Sequence, residues 1–103
     1  MSQPDPFDHA SQEAQQRQRA DKARLETQRE ADDLKWLMGS RRGRRIVWRQ
    51  LERAGVYRLS FNTNAMQMAF AEGARNEGLR LLALINATCP ESYLDMLKEQ
   101  ASE

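Results

Sequence analysis

The chain has 103 residues, 40% of them hydrophobic and 7% aromatic, enough for one small core. Its longest apolar run, Leu81 to Ile85, is far short of the roughly 20 residues that a bilayer span needs. A single cysteine, Cys89, and a single histidine, His9, exclude an internal disulfide and leave no ligand set for zinc and no credible catalytic triad. No glycine-rich phosphate loop is present, so no cofactor, metal, small-molecule substrate or catalytic residue is expected, and the chain reads as non-enzymatic. The N-terminus lacks a basic region followed by an apolar block, so synthesis in a cytoplasm without secretion is the expectation.

The net charge of +1 conceals three blocks. Residues 1–33 hold five basic and eight acidic groups, residues 34–58 eight basic and one acidic, and residues 59–103 three basic and six acidic. Opposite blocks of this kind mark self-complementary packing or a binding face.

Residues 1–9, with Pro4 and Pro6, read as disordered or docked on a partner. Residues 10–31 are rich in Gln, Arg, Glu and Ala, good helix formers, but Leu25 is their one large apolar side chain. This predicts a polar helix or arm that either stays solvated or becomes ordered in an assembly. The arm is assigned to residues 1–31 and a helical domain to residues 32–100.

Asp32 and Asp33 offer an N-cap for a short helix through Leu34, Trp36, Leu37 and Met38, which Gly39-Ser40 breaks. Ser40 is placed to cap the next helix, Arg41 to Ala54, and Gly55 to end it. At 100° per residue, Arg41, Arg45, Arg49 and Arg53 fall at about 0°, 40°, 80° and 120°, and Arg42 at about 100°. Val47, Trp48, Leu51 and Ala54 occupy the opposite side as a buried stripe. Arg44 falls inside that stripe. It either stacks on Trp48, pairs with an acid of another helix (Glu77 being one candidate), or packs its stem while its head reaches water.

Gly55 to Asn64 reads as an extended connector laying Val56, Tyr57, Leu59 and Phe61 on the core, with Asn62-Thr63-Asn64 as turn and N-cap. The third helix, Asn64 to Ala87, is expected to bury Ala65, Met66, Ala69, Phe70, Gly73 and Ala74 in its first half and to be surrounded in its second. Gly73 and Gly78 imply a close neighbour. Pro90 followed by Glu91 starts a last helix, with Tyr93, Leu94, Met96 and Leu97 on one face, and Cys89 reads as a buried or capping residue. Met66, Met68 and Met96 read as core filler.

The expected fold is therefore all-α, a small compact bundle of three to four helices preceded by a polar arm or helix. Its core is drawn from Trp36, Val47, Trp48, Leu51, Phe70, Leu81, Leu84, Tyr93 and Leu97. The candidate contact residues for a partner or nucleic acid are Arg41, Arg42, Arg45, Arg49 and Arg53. On the residues alone, that face is either ion-paired to acids of the N-terminal arm or of neighbouring copies, or solvated, or a tracker of phosphates.

Three segments carry a further resemblance: Asp33-Leu34-Lys35-Trp36-Leu37-Met38, Arg42-Gly43-Arg44-Arg45-Ile46-Val47-Trp48-Arg49 and Glu52-Arg53-Ala54-Gly55-Val56-Tyr57-Arg58. With Ser60-Phe61-Asn62, Ala69-Phe70-Ala71-Glu72-Gly73-Ala74-Arg75-Asn76-Glu77-Gly78-Leu79 and Cys89-Pro90-Glu91-Ser92-Tyr93-Leu94-Asp95-Met96-Leu97-Lys98-Glu99, they resemble, over residues 32–99, a family of small tailed-phage and prophage proteins. Members are encoded among virion structure and assembly genes of short-tailed, podovirus-type phages. The resemblance implies a virion component, made in the bacterial host cytoplasm, that is internal or ejected or sits as an accessory at the head–tail junction. Other virion proteins and further copies of the chain are its implied partners, with DNA as another. It implies no site residues.

Overall fold

The structure, a computed structural model, describes residues 6–58 and 63–103. It is all-α, with α1 (Pro6–Met38), α2 (Arg41–Ala54), α3 (Ala65–Thr88) and α4 (Pro90–Ala101). The chain divides into two compact units, Met1–Asp32 and Asp33–Glu103.

In the first unit the described residues form one helix whose side chains from Asp8 to Glu30 are all exposed. Ion pairs within it join His9 to Glu13 at 3.1 Å and Arg24 to Asp21. Residues 6–9 are helical; residues 1–5 lie outside the described residues. Asp32 and Asp33 start no new helix. The chain around them lacks Gly or Pro, and strong helix formers upstream carry α1 straight through to Met38.

The second unit is built around Leu34 and Met38 from the last turns of α1, Val47 and Leu51 of α2, Val56, Ile85 of α3 and Met96 of α4. Met38, Leu51, Ile85 and Met96 are fully buried. Trp48, Leu81, Leu84 and Tyr93 pack on this cluster as half-buried neighbours, and Leu97 is likewise half-buried.

Local chemistry sets the helix ends. Ser40, extended at φ −125°, accepts the amide of Gly43 on its hydroxyl at 3.0 Å and so caps α2. Gly55, at φ 78°, takes the left-handed conformation that glycine adopts freely, while the amide of Val56 reaches back to the carbonyl of Leu51 at 3.2 Å. Asn64 caps α3 by accepting the amide of Gln67 at 3.1 Å. Cys89, half-buried, closes α3 through its amide to Ile85 O at 2.8 Å and opens α4, with Pro90 in the first turn.

Several expectations are corrected. Trp36 is 81% exposed and Phe70 82% exposed, so neither belongs to the core. Leu34 and Met38, four apart, take the inner face of α1 and turn Trp36 outward. The first half of α3 is not a buried segment. Residues 63–70 are exposed throughout, Met66 among them at 82% and Met68 at 36%, because the cluster draws on α3 from Gly78 to Ile85. Of the three methionines only Met96 fills the core. Gly73 faces open space, whereas a Cβ at Gly78 would lie 2.5 Å from Val56 Cγ2 and 2.6 Å from Ala54 Cβ, so the close approach is real at one of the two glycines. Gly55, Val56 and Tyr57 form turns rather than extended chain, and the expectations for Leu59 and Phe61 lie outside the described residues.

Candidate functional site

Helix α2 separates its residues by face. Gly43, Val47 and Leu51 are buried, and Arg41, Arg42, Arg45, Arg49 and Arg53 are exposed, as a 3.6-residue period requires. Among the described residues only Arg41 comes within ion-pair distance of an acid, with Nη2 3.9 Å from Glu103 at a solvated corner, while the charges of Arg41 and Arg45 also help hold Glu99 ionised from farther off. Arg42, Arg45, Arg49 and Arg53 have no ion-pair partner among the described residues. No acid stands in the first turn of α2, so Arg41 and Arg42 sit at the positive end of the helix dipole. The pairs 41/45, 45/49 and 49/53 are like charges four apart, each destabilising by about 0.2–0.5 kcal/mol.

Arg44 behaves differently. It enters the interior, where Nη2 lies 2.6 Å from Glu99 Oε1 and Nε donates to the same oxygen at 2.8 Å. Nη1 donates to the carbonyl of Met38 at 2.9 Å, and the Arg44 and Glu99 side chains are 15% and 16% exposed. One guanidinium thus ties the end of α1 and the start of α2 to the end of α4. The hydrogen bond from Arg44 holds the Glu99 carboxyl below its usual range against the opposing pull of burial. Of the three fates foreseen for Arg44, pairing with another helix is the one observed. Its partner is Glu99 rather than Glu77, a choice set by contacts 55 residues apart that no local spacing reveals.

Gly43 makes this corner possible. A Cβ there would overlap the backbone carbonyl of Leu37, so α1 and α2 meet at a distance only glycine allows. Sequence reasoning passed over Gly43 because a lone helical glycine looks merely permissive.

Two shallow grooves flank the arginine face. One, of about 520 Å³, is lined by Trp36, Leu37, Arg42, Gly43 and Ile46 among others, with Trp36 and Ile46 exposed. The other, of about 380 Å³, lies between Trp48, Glu52, Arg53, Tyr57 and Arg58. Here the Tyr57 ring stacks on Trp48 at 5.3 Å and its hydroxyl meets that of Tyr93 at 2.9 Å. Burial first, and the Tyr93 hydroxyl second, push the Tyr57 phenol well above its ordinary range. A projection of α1 begun at Leu34 puts Trp36 about 200° away and would have exposed it. No comparable local signal marks Met66 and Phe70, which line a third open groove.

Among the described residues there is no cluster of metal-ligating side chains and no helix long and apolar enough to cross a membrane. Residues 34–98, more than half of the chain, match a family described as Bbp19-like phage protein. No curated protein and no solved structure matches.

Proposed function

The chain belongs to the Bbp19-like phage protein family, and from that premise we propose that it is a non-enzymatic component of the virion, working in many copies through protein–protein contacts. The observation that carries the proposal is the display of large apolar side chains on so small a unit. Trp36, Met66 and Phe70 are each more than four-fifths exposed, and Ile46 and Leu94 add to them. Tryptophan and methionine are enriched in interface cores, and exposed apolar patches mark association surfaces. The exposed stretch of α1 from Asp8 to Glu30 belongs to the same reading, as a polar extension available to neighbours. A place inside the head, among ejected proteins, or at the head–tail junction fits a small chain of this kind, made in the host cytoplasm and built into the particle.

Mass spectrometry of purified particles before and after genome release tests the reading. The protein is expected in intact particles, and its loss on release would place it with the ejected components. Absence from intact particles refutes the virion role. Light scattering at high concentration tests the contact half: self-association weakened by Trp36→Ser or Phe70→Ser supports it, and a strict monomer indifferent to both points away from copy-to-copy contact.

A further inference from the structure

We propose that the outer face of α2 binds the phosphate backbone of nucleic acid, a role separate from the apolar contacts above. The face contains Arg41, Arg42, Arg45, Arg49 and Arg53, with Glu52 as its single acid, and four of the arginines have no ion-pair partner among the described residues. Such a row is unfavourable in isolation. Its charges repel at four-residue spacing, and two of them oppose the helix dipole. A bound polyanion reverses both penalties.

Charge density selects which polyanion. From Arg41 to Arg53 the helix rises about 18 Å, the length over which one nucleic-acid strand presents about five phosphates, matching five guanidiniums. The acidic N-terminal block of a second copy offers far less. Residues 1–33 interleave five basic with eight acidic groups along roughly 50 Å when helical.

The test is fluorescence anisotropy of a labelled duplex of arbitrary sequence titrated with the full chain. Binding in the micromolar range at low salt is expected, and four phosphate contacts give a log–log salt slope of about −4, so affinity falls on the order of 10²-fold between 50 and 200 mM salt. Arg45→Glu with Arg49→Glu should weaken binding at least about 10²-fold, and Arg45→Gln with Arg49→Gln should flatten the slope by about 2. Both residues are exposed, so helix content should stay unchanged in each variant. Arg17→Glu with Arg19→Glu, which changes net charge equally, should alter affinity less than about threefold. The proposal is overturned by absent or salt-insensitive binding, or by equal losses in both charge-reversed variants. It is also overturned by salt-sensitive self-association that Arg45→Glu with Arg49→Glu abolishes while DNA stays unbound, a result that assigns the face to acidic groups of a second copy.

Discussion

The two faces of α2 use the same residue for opposite purposes. On the inner side one guanidinium, that of Arg44, is enclosed and committed to Glu99 and the Met38 carbonyl. On the outer side Arg42, Arg45, Arg49 and Arg53 stand in solvent without an ion-pair partner among the described residues. An arginine becomes part of the fold when the chain brings an acceptor to it and shields both from water. Otherwise it remains a charge available to something else. Sequence composition makes these arginines look alike; position on a helix of 3.6 residues per turn distinguishes them.

The contrast is sharpest at the inner corner, and the largest loss is expected there. Gly43→Ala forces a methyl group into the Leu37 carbonyl, and backbone yields less readily than a side chain. Urea unfolding should show a loss of about 3 kcal/mol, the upper end for overpacking. A variant as stable as the parent would mean that α1 and α2 meet differently. Next comes Arg44→Met, which keeps the stem but leaves Glu99 without its partner in a largely enclosed site, for a loss of about 2 kcal/mol.

How far these features were legible follows from their range. The start, stop and sidedness of α2 are local: Ser40, Gly55 and the spacing of Val47 and Leu51 specify them within a few residues. The limits of α3 and α4 are local too, through Asn64 and Pro90. Burial along α3 is not local. Met66 and Phe70 are as apolar as Leu81 and Leu82, yet the cluster ends before reaching them, and composition cannot say where a neighbouring helix stops. The Arg44–Glu99 pair was foreseeable as a class of contact but not as a residue, since α4 is placed by packing rather than by spacing. Trp36 was misplaced in the same direction but for a local reason, because large aromatics suggest burial while the helical period puts Leu34 and Met38 inside.

Acid titration gives a smaller effect that separates the same faces. Glu99 ionises below its usual range because Arg44 stabilises the carboxylate. Its contribution is therefore complete above the unfolded glutamate value of about 4.3 and is lost as pH falls through the lower folded value. Unfolding free energies measured from pH 6 down to 2 should show the parent converging on Glu99→Gln at the acidic end; a constant gap would disconnect the ion pair from stability. The smallest effect belongs outside. Arg49→Gln relieves repulsion from Arg45 and Arg53 and should change stability by no more than about 0.5 kcal/mol, toward greater stability. A loss comparable to that of Arg44→Met would remove the distinction between the faces.

The most direct test is a two-dimensional proton–nitrogen correlation spectrum recorded while a short DNA duplex is added. The division of α2 predicts salt-sensitive shifts at the amides and side-chain Nε–H groups of Arg42, Arg45, Arg49 and Arg53, while the Arg44 Nε–H signal stays in place on Glu99. Shifts centred on the exposed first half of α3, or release of Arg44 with no change along the outer arginines, would contradict it.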